Sequence, residues 1–187
     1  MINTRNIKYI IILAGLALAA MLLFSGCVCP LFSIFERATG LKVKAGEDID
    51  ETGIVDELIY PGSAALVQVT GDIEKIIELV STYGVSFSDD ERQALEGLPE
   101  SITEQDVGAI VYSTPDSRSM VLAYYDRLAD RGWQIESFRG PMGNSQDSDI
   151  VMAVKGDRKQ ALMVTGSENS SFIIFIDFDW DVFENGE

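Results

Sequence analysis

Apolar and polar positions fall into three regimes along the chain. Residues 9–24 carry no charge at all. Residues 36–57, "ERATGLKVKAGEDIDETGIVDE", are mixed, acidic and without a sustained period; this predicts a tether of low order holding at most a short strand at 41–43. Beyond Leu58 the pattern becomes periodic. After a turn at Pro61-Gly62, residues 65–70 have strand composition. Asp72 then stands as a cap before Ile73, Ile76, Ile77 and Val80, which fall at i, i+3, i+4 and i+7 and predict an amphipathic helix ending at Gly84. Ser88-Asp89-Asp90-Glu91 has capping-box spacing before a short helix to about Glu96.

The second main helix is better punctuated. Thr114 reads as its N-cap with Pro115 at the first helical position, Met120, Val121, Tyr124 and Leu128 make an apolar stripe, and Gly132 stands where a left-handed residue closes a helix. After Gly132 the period changes to two. Residues 133–138, 150–155, 160–165 and 172–180 read as strands, with a tight hairpin at Gly156-Asp157 and a looser one at 166–170. With a strand at 109–113 before the helix, the expected fold is α+β: a β-α-β-β-β antiparallel sheet, two amphipathic helices on one face, and an N-terminal hydrophobic signal or anchor helix ahead of it. The implied organisation is 1–27 leader, 28–57 acidic tether, 58–182 globular domain and 183–187 acidic tail.

The leader fixes the address. Arg5 and Lys8 precede the apolar run, and the run ends in "LLFSGCVCP", the order of an export signal. As a helix, residues 9–24 would span about 24 Å, short of a bilayer core of about 30 Å. Phe24-Ser25-Gly26-Cys27 resembles a lipobox, in which the chain is cut before Cys27 and the thiol is lipidated. Two other readings stay open: a single uncleaved helix, since no charge appears from residue 9 to residue 35, and release after Ala17-Leu18-Ala19. In the first two the N-terminus stays inside and the rest lies on the outer side of the cytoplasmic membrane.

Charge and composition then exclude whole classes. Setting aside Arg5 and Lys8, 12 basic residues face 30 acidic ones, a net of −18, and such a field repels nucleic acid. Cys27 and Cys29 are the only cysteines, so no disulfide staples the exported part. The chain has no histidine, which removes Ser-His-Asp and Cys-His nucleophile systems and the usual imidazole metal sites. No Gly-x-Ser-x-Gly elbow, Ser-x-x-Lys motif or phosphate-cradling Gly-x-x-x-x-Gly-Lys occurs, and no cofactor motif appears.

Three candidate sites stand against ordinary structural roles. Asp177, Asp179 and Asp181 alternate, so on an extended strand they share one face and offer oxygen ligands to Ca²⁺ or Mg²⁺. The likeness to an EF-hand loop fails at Val182, where glycine is needed; a solvated strand face explains the row as well. Tyr124, Tyr125 and Trp133 form a possible ligand-stacking group, against a reading in which Tyr124 and Trp133 are core aromatics and Tyr125 keeps its hydroxyl wet. Asn169-Ser170-Ser171 fits a glycosylation acceptor in a turn.

The segment "STPDSRSMVLAYYDRLADRGWQIESF", followed by "VMAVKGDRKQALMVTG", resembles small envelope lipoprotein domains of archaea and bacteria that share a Tyr-Tyr helix, a Gly-Trp exit and a short meander. The resemblance runs from Gly108 to about Phe178 and implies no catalytic residues. The expected function is that of a membrane-tethered, externally exposed, non-catalytic domain with a structural or protein-contact role in the cell envelope. Its expected partners are the membrane, through lipid or helix, and an envelope protein. The alternatives are a small-ligand or cation sensor and, more weakly, a carboxylate-dependent hydrolase.

Overall fold

The computed structural model describes residues 39–72, 106–139 and 148–177, together with Glu36 and Lys75. Seven strands form one sheet: β1 (Lys42–Ala45), β2 (Ala64–Asp72), β3 (Asp106–Thr114), β4 (Gln134–Arg139), β5 (Ser148–Lys155), β6 (Arg158–Gly166) and β7 (Ser171–Asp177), in the order β1-β2-β3-β7-β6-β5-β4. The sheet is mostly antiparallel, with antiparallel ladders joining β4 to β5, β5 to β6 and β6 to β7. One helix, α1 (Arg118–Arg127), is described with it, so the class is α+β. Four strands follow the helix, one more than β-α-β-β-β allows. The leader helix, the amphipathic helix over 72–84 and the acidic tail lie outside the described residues, apart from Asp72 and Lys75.

The chain divides into two compact units. The larger described one takes in Lys44–Gln68 and Ile110–Asp177. Its core joins Val121 and Tyr125 of α1, and Leu128 in the 3-10 turn that follows it (Leu128–Arg131), to Ile110 and Tyr112 of β3, Ile173 and Phe175 of β7, Leu162 and Val164 of β6, and Val151 and Ala153 of β5. The opposite faces of these strands are buried as well, through Val111, Ile150, Ala161, Met163, Ile174 and Ile176. Burial on both faces is why β6 and β7 read as near-continuous apolar runs. Gln160, a buried amide in β6, is satisfied by donating from Nε2 to the Ile176 carbonyl at 2.8 Å. In the other unit, Leu41 is fully buried against Gly71 of β2, where a Cβ would collide with the leucine side chain.

Both hairpins form where the turn residues place them. Lys155 pairs with Arg158 across Gly156-Asp157, with Gly156 at φ 61°, and Gly166 pairs with Ser171 across a four-residue loop. Gly132 closes the helical segment at φ 85°: the Trp133 N–H donates to the Leu128 carbonyl at 3.2 Å and the Gly132 N–H to Ala129 at 3.0 Å.

Three expectations need correction. The helix starts at Arg118, with Ser117 as its N-cap, accepting from the Met120 N–H. Thr114 instead ends β3, buried, with Oγ1 accepting from the Asp116 N–H at 3.2 Å. The cause is tertiary: the Asp116 carbonyl accepts from Ser171 Oγ at 2.9 Å and the Arg118 N–H donates to the Ser167 carbonyl at 3.2 Å, which ties this turn to the β6–β7 loop. The buried helix ridge is Val121, Tyr125 and Leu128, whereas Met120 is 53% exposed. Finally, the stretch read as a tether is built into the fold over residues 41–57: it forms β1, a 3-10 turn at Gly46–Asp48 and the start of a second, Asp56–Leu58, and Ile54 enters the core.

Candidate functional site

The densest chemistry in the described residues lies where residues 49–60 cross the helix face of the larger unit. Ile54, Leu58 and Tyr60 supply apolar weight, and the polar tips of five aromatic residues then meet acceptors on or beside this segment. The Tyr112 hydroxyl donates to Glu51 Oε2 at 2.5 Å, and the Tyr60 hydroxyl to Asp116 Oδ2 at 2.8 Å. Trp133 Nε1–H donates to Glu57 Oε2 at 2.9 Å, and Lys155 Nζ reaches the same oxygen at 3.0 Å. The Tyr125 hydroxyl donates to the Leu58 carbonyl at 3.0 Å and that of Tyr124 to the Glu57 carbonyl at 2.8 Å.

The rings also pack on one another. Tyr60–Tyr124, Tyr124–Tyr125 and Tyr112–Phe175 are edge-to-face pairs with centroids 5.2–5.3 Å apart. Lys155 sits 5.5 Å from the Trp133 ring centre, so one ammonium serves both a carboxylate and an aromatic face. Burial, with the neighbouring carboxylates, raises the hydroxyls of Tyr60 and Tyr112 above the ordinary phenol range, and burial alone is the leading cause at Tyr124 and Tyr125. These phenols are therefore fixed neutral donors at physiological pH. Glu57 moves the other way, its carboxyl held below the ordinary range by the Trp133 and Lys155 donors.

Of the stacking candidates, Tyr124, Tyr125 and Trp133 are brought together, but the protein's own 54–60 segment lies over them. Tyr125, expected to keep its hydroxyl wet, is fully buried, because the Leu58 carbonyl gives that hydroxyl a partner inside the core. Of the aspartate row, Asp177 closes β7, while Asp179 and Asp181 lie outside the described residues, as does Cys27. The Asp177 carboxyl packs over the Gly53 backbone, where a Cβ would collide with it. Desolvation there, and then the Asp50 charge, raise its pKa. Among the described residues no cluster of three His, Cys, Asp or Glu is placed to hold a metal.

Glu51, Glu57 and Asp116 did not stand out in the sequence. The available signal was "IVDELIY", apolar residues spaced through an acidic stretch. A second feature is an open depression of about 370 Å³ bordered by Tyr124, Arg127, Leu128, Asp130 and Arg131. Neither arginine forms an ion pair with a described residue, although Arg127 Nε donates to the Ala123 carbonyl at 3.1 Å. Both lie at the C-terminal end of the helical segment, where positive charge offsets the exposed carbonyls. Comparisons of the chain with protein-family models, with curated proteins and with solved structures find no match.

Proposed function

We propose that this is a membrane-tethered domain held outside the cytoplasmic membrane, non-catalytic, acting in envelope architecture or in contact with an envelope protein. The observation that carries the reading is the closure of the aromatic cluster. Its hydroxyl and indole donors are satisfied by Glu51, Glu57, Asp116 and the Leu58 carbonyl, so the one stacking surface visible in the sequence is occupied by the chain itself. What such a domain offers to others is its surface. Mooring through Cys27, or through an uncleaved N-terminal helix, supplies the address, and an amphipathic helix over 72–84 completes the α+β unit.

The folded segment at 41–60 also sharpens the attachment. Only 13 residues separate Cys27 from Leu41, which even fully extended reach about 45 Å. A lipid-anchored domain would then work close to the membrane surface. The depression at Arg127 and Arg131 favours a second reading, a module that senses a small anionic ligand.

Intact-mass measurement of the membrane-extracted protein separates a lipidated N-terminal Cys27 from a chain that keeps Met1. Replacement Cys27→Ser is expected to block lipidation and leave the precursor uncut; unchanged processing refutes the lipobox. Protease added to intact spheroplasts should digest the domain, and crosslinking in membranes should trap a neighbour. A full-length chain in the cytosol, protected and soluble, overturns the proposal.

A further inference from the structure

We infer that Asn169 is an attachment site for an N-linked glycan, added before the β6–β7 hairpin docks; this rests on the outside location proposed above. The chain has five asparagines, and only Asn169 is followed by the acceptor pattern, as Asn169-Ser170-Ser171. The fold places that triplet at the tip of the β6–β7 loop. Residues 167–170 are all exposed, and the Asn169 carboxamide has no hydrogen bond to any described residue, its backbone N–H alone donating to Ser167 Oγ at 3.3 Å. A sugar on Nδ2 therefore displaces nothing from the fold.

The third residue of the triplet sets the order of events. The acceptor pattern requires a hydroxyl there, and Ser171 is fully buried as the first residue of β7, its Oγ donating to the Asp116 carbonyl at 2.9 Å. Once β7 has paired with β6 through Gly166 and Ser171, that hydroxyl is closed to an enzyme. Transfer must precede docking of the hairpin, while the exported chain is still extended. In the reaction, Asn169 Nδ2 bonds to the anomeric carbon of a lipid-diphosphate-linked sugar. The bond from that carbon to the diphosphate oxygen breaks, the diphosphate leaves with its electron pair, and the amide gives up one proton.

The test is peptide mass spectrometry on full-length protein extracted from membranes of the source organism, beside an Asn169→Gln variant, with protease access on intact spheroplasts recording location in the same cells. The expected result is a wild-type Asn169 peptide heavier by whole sugar residues, absent in the variant. A second arm supplies membranes containing the transferase and lipid-linked sugar with either the natively folded protein or the urea-unfolded chain diluted directly into the assay. Modification of the unfolded chain alone is expected. An unmodified Asn169 on a protein that is protease-accessible outside overturns the glycan and leaves the location standing. An unmodified Asn169 on a protected protein overturns both, and equal modification of folded and unfolded chains overturns the order of events.

Discussion

Tyr125→Phe removes one oxygen from the centre of the core and tests whether the 49–60 segment is held by specific hydrogen bonds or by apolar contact alone. Tyr125 and Leu58 are both fully buried, so no water can replace the lost donor at the Leu58 carbonyl. A buried acceptor left without a partner costs about 1–3 kcal/mol. The ring itself, with its edge-to-face contact to Tyr124, is retained, so the expected loss lies in the lower half of that range, about 1–2 kcal/mol. Tyr124→Phe is the matched control: its hydroxyl also donates to this segment, to the Glu57 carbonyl at 2.8 Å in an exposed bond and only at 3.4 Å to the Ile59 carbonyl. Water replaces it there, and the cost should stay below about 0.5 kcal/mol. Both are measured on the detergent-extracted full chain by urea unfolding, followed by tryptophan fluorescence, to which Trp133, buried and bonded to the same segment, contributes beside Trp180. With an ordinary urea slope, Tyr125→Phe lowers the midpoint by roughly 0.5–1 M at unchanged slope. Equal shifts for the two variants, or none for Tyr125→Phe, would refute the specific-bond account.

Other consequences follow from single positions. Gly132→Ala forces a side chain into φ 85° and should lower stability by about 1–2 kcal/mol, read as a urea midpoint shift. Because the folded Glu57 carboxyl titrates below its ordinary value of 4.5, its contribution is complete above that value and disappears as pH falls through the folded pKa; Glu57→Gln should flatten this part of a stability-against-pH curve. Asp177 behaves oppositely: with its folded pKa raised above 3.8, the wild-type chain loses stability as pH rises from there through the folded pKa. Asp177→Asn should therefore be the more stable protein at pH 7 and lose that advantage in acid. Gly71→Ala places a methyl group on the buried Leu41 side chain and should cost about 1–3 kcal/mol by overpacking, visible as a lowered thermal midpoint.

Local chemistry was legible wherever one residue type dictates backbone shape. Gly132 and Gly156 take positive φ, and turn residues bracket β4 to β7 as short strand-like runs, since turn and strand signals act over a few neighbours. The identity of β7 as an interior strand was readable too, from apolar residues on both of its faces. The N-cap was not: Thr114 and Ser117 are both suitable, and the choice fell to contacts with Ser167 and Ser171, about fifty residues away.

The acidic stretch before Leu58 shows most clearly what sequence and fold each decided. Composition makes it a poor candidate for order, because its few apolar residues, Ile54-Val55 and Leu58-Ile59, are split by Asp56-Glu57 and cannot bury themselves locally. The fold supplies what the neighbours lack, an apolar helix face and donors at Tyr112, Tyr125 and Trp133 that satisfy its carboxylates and carbonyls. By itself the sequence determined the turns, the strand segments after Gly132, the acidic charge and the chemistries ruled out by a chain without histidine. The path of residues 41–60, the burial of Tyr125 and the use of Glu51, Glu57 and Asp116 were decided by tertiary contact, because each depends on a partner tens of residues away that no local pattern announces.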